Sequence, residues 1–382
     1  MIRKERIGWS VAGRHYRVRS PVLALATRLV DLAGAVVFCF IRRKHVPAPR
    51  RILVIQVDHI GDTVLAAPLV KNLRACYPDS RISMLVREMS RPIAGMIEEL
   101  DDVVCLNTPW LSRRESTGWL AAAAFARSHF QRYDLAFELH GDPRNIMLAR
   151  LAARFCVGSG IRGMGFLLNR DVRWQRDYHT HIIGLHARML EAAGATPPKP
   201  APAAPAVPED ALARARDLLK ERGVREGTYA LLQMSAGLAL KEWPMEQWLD
   251  LAARLAARMP LVTADLDREK AALLSGTASR RPVVSVRAGL REYSALVTMS
   301  ASVISVDTFT VHLAAAFRIP LVALYSGVNL ASEWGPFGAQ AAVLQDTTCP
   351  YYPCGLKKCV YGRPSPCMQR LRADTVFAKV PQ

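Results

Sequence analysis

The segment ILVIQVDHIGDTVLAAPL, from Ile52 to Leu69, is the stretch that decides the fold. It begins as the apolar run of a strand buried on both faces and continues into a second apolar run of helical character. Between the two runs stand Asp58, His59, Gly61 and Asp62. Glycine allows a sharp turn, and a carboxylate is favoured at the start of a helix. The segment therefore predicts a strand that ends at a polar site, where Asp62 is either a general base or a helix-capping residue.

Strands and helices alternate on both sides of a proline-rich segment. TPPKPAPAAPAVPED, residues 196–210, lacks a periodic apolar pattern and indicates an extended linker. We expect two doubly wound, Rossmann-like α/β domains that face each other across a cleft, with ligands at the carboxyl ends of the strands. The predicted parts of the chain are a basic N-terminal extension (1–50), a first domain (51–195), the linker, a second domain (211–345) and a cysteine-containing tail (346–382).

Two strand ends of the second domain carry residues suited to an anionic ligand. In SVISVDTFTVHLAAAF, Asp307 and Thr308 close a strand, and the next helix offers its N-terminal N–H groups and His312 to a phosphate. In MSAGLALKEWPMEQW, Lys241 lies in a loop after another strand, where it can pair with a phosphate. Ordinary structural roles stay open at each position: a helix cap, a half-buried histidine and a solvated lysine.

The composition indicates a globular protein with an anionic partner. The net charge is +18 and the charged fraction is 22%, which suits nucleic acid, an anionic membrane surface or a phosphorylated substrate. No interleaved aromatic and basic motif supports nucleic acid. No cleavable signal is evident, so the cytoplasm is the expected location.

The apolar segment 22–41 has about the length of a membrane span, but it contains Arg28 and Asp31. Charged residues near a bilayer centre cost roughly 2.5 to 3.5 kcal/mol each, which disfavours a span. A helix in the membrane interface and a helix docked on the protein's own surface stay open.

Four cysteines fall in the short tail, at Cys349, Cys354, Cys359 and Cys367. Four thiolates can hold one structural zinc ion, although such sites usually include a two-residue spacing. Disulfides and free thiols that pack the tail are the alternatives, and a reducing cytosol disfavours disulfides.

The ordered set of motifs resembles the lipopolysaccharide heptosyltransferases, which are family 9 glycosyltransferases of the GT-B fold. The resemblance runs from about Arg51 to the C-terminus. The opening segment carries it, together with FELHGDPRN, GIRGMGFLL, KEWPMEQW, SVDTFTVHLAAAFRIPLVALYSG and EWGPFG. One departure is Phe309, which stands where the family usually has a glycine after the Asp-Thr pair.

The resemblance implies transfer of heptose from ADP-heptose to the inner core of lipopolysaccharide, with inversion at the anomeric carbon and Asp62 as the general base. Implied donor-binding residues are Lys241, Asp307, Thr308, His312 and a carboxylate between Asp267 and Glu269, which we assign to Glu269. Implied acceptor-binding residues are Gly61, His140 and Arg144. No cofactor is required, because Lys241 and helix N–H dipoles can do the work of a metal ion.

The implied partners are a nucleotide sugar, the lipid A-core acceptor and an anionic membrane surface, without nucleic acid. The implied location is peripheral, on the cytoplasmic face of the inner membrane. Two alternatives stay open: a glycosyltransferase of the same fold with another nucleotide sugar, and a non-catalytic protein that binds anionic ligands. A GT-B epimerase would need further acid/base residues in the cleft, and the sequence identifies none.

Overall fold

The computed structural model describes residues 9–11, 14–16, 20–38, 46, 48–108, 110, 118–173, 180–264, 267–276 and 281–381. It divides into two compact units, an N-terminal unit that ends at Ala201 and a C-terminal unit that begins at Pro202. The division falls inside the predicted linker.

The N-terminal unit is built on a six-stranded parallel sheet. Its described elements are β1 (Trp9–Val11), β2 (Arg14–Tyr16), α1 (Pro21–Phe38), β3 (Arg51–Gln56), α2 (Ile60–Cys76), β4 (Arg81–Val86), α3 (Arg91–Ala94), β5 (Asp102–Cys105), α4 (Gly118–Ser128), β6 (Tyr133–Glu138), α5 (Pro143–Ala152), β7 (Ala153–Gly158), β8 (Arg170–Asp171) and α6 (Ile182–Ala192). The strand order is β5-β4-β3-β6-β7-β8, and β1 and β2 form a separate antiparallel pair.

The C-terminal unit repeats this architecture. Its described elements are α7 (Glu209–Lys220), β9 (Ala230–Gln233), α8 (Met245–Leu255), β10 (Leu261–Ala264), α9 (Arg268–Ser275), β11 (Val283–Val286), α10 (Leu290–Thr298), β12 (Ser302–Val306), α11 (Phe309–Ala316), β13 (Leu321–Tyr325), α12 (Ala331–Trp334), β14 (Ala341–Gln345), α13 (Pro366–Gln369) and α14 (Ala373–Phe377). Its sheet is also parallel, in the order β11-β10-β9-β12-β13-β14.

Both sheets reverse their strand order at one point, between β3 and β6 and between β9 and β12. In a doubly wound sheet this switch point leaves a crevice at the carboxyl ends of the strands, where ligands bind. The prediction of two doubly wound α/β domains is confirmed. The residues that follow these four strands are therefore the candidates for ligand binding.

The strands are apolar because helices cover both faces of each sheet. All residues of β9, β12 and β13 are buried, as are five of the six residues of β3. Parallel strands of this kind read as nearly continuous runs of valine, leucine and isoleucine. The opening segment has this composition for that reason.

The C-terminal tail is part of the second unit's core rather than a separate element. Met368, Val376 and Val380 are buried in the same cluster as Trp248. The indole Nε1 of Trp243 donates a hydrogen bond to the carbonyl oxygen of Leu371, at 2.8 Å. The structure therefore extends the unit beyond the predicted end at residue 345.

Candidate functional site

The turn from β3 into α2 places Asp62 at a helix N-terminus. His59 is the N-cap residue, and its backbone N–H donates to Oδ2 of Asp62 at 3.2 Å. Gly61 is buried in the first turn of α2. Asp62 thus has the capping contact that the sequence left open, at a position beside the switch point of the sheet. Capping does not exclude proton transfer, because a carboxylate keeps a second oxygen.

A second group of polar residues follows β6, the strand across the switch point. Glu138 is fully buried at the end of β6. Its carboxylate accepts hydrogen bonds from the backbone N–H groups of His140, at 3.1 Å, and Gly141, at 2.7 Å. Gly141 has a φ of +75°, and a Cβ atom there would lie 2.9 Å from the carbonyl oxygen of Ser159. The loop therefore folds tightly over Glu138 and presents His140.

His140 joins the two strand ends. Its Nδ1 lies 2.5 Å from Oδ2 of Asp58, and its Nε2 lies 2.8 Å from Nη1 of Arg162. Asp58 also lies 3.3 Å from Nε2 of His59. We call Asp58, His140 and Arg162 the relay cluster. It ties the end of β3, the end of β6 and the short 3-10 helix Gly160–Arg162 together.

Burial and charge separate the acidities of the two aspartates. Burial tends to raise the pKa of Asp58, but the hydrogen bond from His140 and the nearby His59 and Arg162 outweigh it and lower the pKa to about 2. Burial and the negative charge of Asp58 raise the pKa of Asp62 to about 6. Asp58 is therefore a permanent anion at neutral pH, whereas Asp62 is poised to take up a proton.

Glu138 and His140, which follow one another closely at the end of β6, also have shifted pKa values. Burial raises the pKa of Glu138 to about 7, although His140 and backbone N–H groups oppose the shift. Burial lowers the pKa of His140, but the adjacent Asp58 outweighs it and the net shift is upward. Clusters of shifted pKa values are typical of functional sites.

Arg144 lies at the start of α5, where its guanidinium contacts both oxygens of Asp142, at 2.8 and 2.6 Å. It also lies over the ring of Trp110, with 5.5 Å between the guanidinium carbon and the ring centroid. The side chain is 42% exposed. Its predicted role in acceptor binding stays a prediction.

The C-terminal unit places four of the five predicted donor-binding residues, Lys241, Asp307, Thr308 and His312, at its own switch point. Lys241 lies in the 3-10 helix Ala239–Lys241 that follows β9, and its Nζ is 2.9 Å from Oδ2 of Asp307, just after β12. Asn329 donates to the same oxygen at 3.0 Å. Thr308 caps α11 by accepting the N–H of Thr310 at 3.3 Å. His312 is buried in the first half of α11.

The two candidates for the further carboxylate have different surroundings. Glu269 is exposed in the first turn of α9. Asp267 is buried and accepts the N–H of Met234 at 2.8 Å, and burial raises its pKa. Asp267 thus supports the end of β9, while the assignment of donor binding to Glu269 stays a prediction. Lys270, whose Nζ lies 2.8 Å from Oγ of Ser235, adds a cation here that the sequence reasoning did not single out.

Phe309, the departure from the family pattern, packs inside its own unit. Its ring lies 5.4 Å from the ring of Tyr293, centroid to centroid. The Tyr293 hydroxyl is 2.9 Å from both Gln233 and Thr310. The Phe309–Tyr293 pair therefore stabilises the N-terminal turn of α11, through ring packing and the contact of the Tyr293 hydroxyl with Thr310.

The four tail cysteines line one small cavity, together with Leu240, Gly327 and Tyr351 among others. All four are free thiols, and the backbone N–H of Gly327 donates to Sγ of Cys367 at 3.3 Å. Within the described ranges, no three His, Cys, Asp or Glu side chains form a group that could hold a metal ion. Structural zinc stays a prediction.

Sequence reasoning did not single out Glu138, Arg162 and Asn329, and it named Asp58 without assigning it a partner. Glu138 stands two residues before His140 in a quoted motif, so a signal for it was present. The pairing of Asp58 with His140 and Arg162 had no local signal, because it depends on which strands are neighbours in the sheet.

The model of glycosyltransferase family 9 (heptosyltransferase) matches residues 123–363. The chain belongs to this family. It is therefore a glycosyltransferase, as predicted. Lipopolysaccharide heptosyltransferase 3 of Escherichia coli is 23% identical over 295 residues, a match that covers 70% of this chain and 81% of that protein.

Two solved structures show the same fold as this family 9 chain. The E. coli ADP-heptose lipopolysaccharide heptosyltransferase II superposes with a TM-score of 0.65 at 18% identity, covering 86% of this chain and 97% of that one. E. coli heptosyltransferase WaaC with ADP-2-deoxy-2-fluoro heptose gives 0.64 at 19% identity, covering 86% and 98%. The GT-B fold class predicted from the sequence is confirmed.

Proposed function

We propose that the chain transfers heptose from ADP-heptose to the inner core of lipopolysaccharide, with inversion, and that Asp62 is the general base. The observation that carries the proposal is the position of Asp62 in the first turn of α2, just after the strand end that holds Asp58 of the relay cluster. Burial and the charge of Asp58 raise the pKa of Asp62 to about 6, which suits a base. Two relatives support the assignment of donor and acceptor. One is a lipopolysaccharide heptosyltransferase, and the structure of another contains ADP-2-deoxy-2-fluoro heptose.

The chemistry needs a base for the acceptor and positive groups for the leaving diphosphate. Asp62 takes the proton of the acceptor hydroxyl as that oxygen attacks the anomeric carbon. Lys241 and the N–H groups at the start of α11 stabilise the charge that develops on the departing ADP. Because these groups supply positive charge, the proposal requires no cofactor.

The remaining predicted residues take positioning roles in this proposal. Thr308 and His312 hold diphosphate oxygens, while Asp307 and Glu269 bind the donor's sugar or phosphate region. Gly61, His140 and Arg144 bind the acceptor. Asp307 orients Lys241 in the structure, through the 2.9 Å contact.

We also propose that the acceptor is the lipid A-core, met at the cytoplasmic face of an inner membrane by a peripherally bound enzyme. The net charge of +18 supports an anionic surface as the partner. Nucleic acid is not proposed as a partner.

The test is a donor panel with purified protein and core-truncated lipopolysaccharide, using ADP-heptose and other ADP- and UDP-sugars. We expect turnover with ADP-heptose, and the product should carry the inverted anomeric linkage by NMR. Asp62→Ala should lower kcat by about 10²- to 10⁴-fold, because the base is lost. Asp79→Asn, an exposed carboxylate beyond the other end of α2, is the control and should retain full activity.

The outcomes separate the alternatives. Turnover only with another nucleotide sugar would overturn the assignment of ADP-heptose as the donor, but the protein would still be an active glycosyltransferase. Full activity in Asp62→Ala would overturn the assignment of the base. No nucleotide release with any donor, together with salt-sensitive retention on nucleic acid, would favour a non-catalytic protein.

The zinc hypothesis for the tail is tested separately. If the four thiolates hold zinc, elemental analysis of the reduced, full-length protein finds one zinc per chain, and Cys354→Ser loses it because a thiolate ligand is gone. Cys156→Ser, a change at a single buried cysteine of the other unit, should retain it. Metal-free wild type that takes up no added zinc would reject the hypothesis.

A further inference from the structure

Helix α1 presents its apolar side to the surroundings. Along its length, the large apolar side chains that point outward are 46–75% exposed: Val22, Leu23, Leu25, Leu29, Val30, Leu32, Val36 and Val37. This outward face carries no charged residue. A helix on a water-facing surface shows the opposite arrangement, with polar residues outward. An exposed apolar patch of this kind marks an interaction site.

The charged residues of α1 lie on the side that packs against the protein. Asp31 is 1% exposed and its Oδ1 accepts the N–H of Met164 at 2.8 Å. Arg173 lies 3.8 Å from the other oxygen of Asp31. Arg28 is half-buried, one turn before Asp31. The polar contacts of the helix are thus directed into the N-terminal unit.

Ring and backbone contacts complete the docking of α1. The ring of Phe38 lies 5.4 Å from that of Phe166, in the 3-10 helix Gly165–Leu167. Gly163, with a φ of +110°, passes so close to Thr27 that a Cβ atom would meet it at 2.5 Å. By length and composition, α1 is the one helix in the described part of the chain that could cross a membrane. Crossing would break these contacts and carry Asp31 into lipid.

We propose that α1 is an in-plane membrane anchor, which lies in the interface of an anionic bilayer and seats the N-terminal unit on it. Basic residues flank the helix on both sides in the sequence: Arg14, Arg17 and Arg19 before it, and Arg42, Arg43 and Lys44 after it. Such flanks attract acidic lipid headgroups while the apolar face enters the boundary of the acyl chains. A second copy of a chain with a net charge of +18 would instead be repelled.

The anchor is connected to the candidate site through one short segment. Residues 160–167 contact α1, and Arg162 in the same segment contacts His140 of the relay cluster. The anchor therefore holds the acceptor side of the N-terminal unit next to the bilayer. This consequence rests on the proposed function, because it assumes a lipid-linked acceptor; the membrane contact itself does not.

Vesicle sedimentation with the full-length protein tests the membrane contact without reference to activity. We expect binding to vesicles of phosphatidylcholine mixed with phosphatidylglycerol, and weaker binding to phosphatidylcholine alone. Combining Leu25→Gln, Leu29→Gln and Val36→Gln should weaken binding by roughly tenfold or more, because the apolar face supplies much of the affinity. Combining Leu120→Gln, Leu273→Gln and Val343→Gln, at exposed positions elsewhere, should leave binding unchanged.

Depth measurements separate an in-plane helix from a span. A tryptophan is added in turn at Leu25, Leu29 or Val36, and the wild type gives the quenching of the seven native tryptophans as the baseline. Each added tryptophan should be quenched most by lipids brominated near the headgroup. If lipids brominated deep in the acyl chains quench the tryptophan at Leu29 alone, the helix spans the bilayer and the proposal is overturned. Undiminished binding of the triple variant would overturn it too, as would failure of the wild type to sediment with acidic vesicles. A dimer abolished by the triple variant, without vesicle binding, would assign the face to a second copy.

Discussion

Asp58 follows β3 and Asp62 lies in the first turn of α2, and the two carboxylates carry opposite pKa shifts. The pKa of Asp58 is about 2 because its contact with His140 outweighs burial, whereas burial and the charge of Asp58 bring that of Asp62 to about 6. Two carboxylates with separated pKa values are the usual sign of divided roles at a site. In the proposed function, Asp62 exchanges the proton, while the charge of Asp58 raises the pKa of Asp62 and its carboxylate holds His140.

The pH profile follows from this pair. The activity should fall below about pH 6, because Asp62 takes up a proton and can no longer act as a base. Asp58→Asn keeps an oxygen for His140 but removes the charge that raises the pKa of Asp62. The acidic limb of kcat/KM should therefore move to lower pH in this variant.

The measurement is kcat/KM against pH for the wild type, Asp58→Asn and the surface control Asp79→Asn. A purely structural role of Asp58 would change the rate without moving the limb. An unmoved limb would thus contradict the assigned role of Asp58.

Lys241 is the residue whose removal should weaken donor binding most directly. A hydrogen bond to a charged group contributes about 1.5–3 kcal/mol, so Lys241→Ala should lower kcat/KM by roughly 10- to 150-fold. Calorimetric titration with ADP should give a higher Kd for this variant than for the wild type. Lys220→Ala, at an exposed lysine of the same unit, should match the wild type. An unchanged Kd for ADP in Lys241→Ala would remove this residue from the donor site.

At the scale of elements, the C-terminal tail is held by α8 and the loop before it. α14 packs on α8, and Trp243 donates its indole N–H to the carbonyl oxygen of Leu371. Phenylalanine at this position fills most of the same space but has no donor. Trp243→Phe should therefore lower the free energy of unfolding of the C-terminal unit by about 1–3 kcal/mol, since the carbonyl loses its partner.

Urea denaturation followed by circular dichroism measures this change. Trp119→Phe, at a side chain that is 63% exposed, is the matched control and should change the unfolding free energy little. Equal midpoints for Trp243→Phe and the wild type would show that the tail is not docked by this bond.

At the scale of the whole molecule, the proposed membrane contact combines the net charge of +18 with the apolar face of α1. Salt shortens the Debye length from about 10 Å at 0.1 M to about 3 Å at 1 M, which weakens attraction between exposed charges. Binding to acidic vesicles should therefore decrease in 1 M NaCl but persist in part through the face of α1. Any retention on a nucleic acid column would depend on charge alone, so it should disappear at the same salt concentration. Vesicle binding abolished completely by salt would contradict the contribution of α1.

The strand and helix alternation, and with it the doubly wound fold, could be predicted from the sequence because it is written in local apolar patterns. A parallel strand buried on both faces needs a continuous apolar run, and Ile52–Gln56 has one. The positions of Asp62, Asp307 and Thr308 could be predicted from the sequence equally well, because each follows a strand and lies at the start of a helix. Lys241 could be predicted as a site residue because it lies in the loop that follows a strand.

Only the tertiary structure decided which of these residues meet. Asp58, His140 and Arg162 come from three separate segments, and only the adjacency of β3, β6 and β7 brings them together. Likewise, the apolar composition of α1 left three locations open. The structure shows which face packs: burial of Asp31 against Met164 and Arg173 turns the apolar face outward. Local patterns determine what a segment can form, whereas long-range packing determines which side chains become neighbours and which face remains exposed.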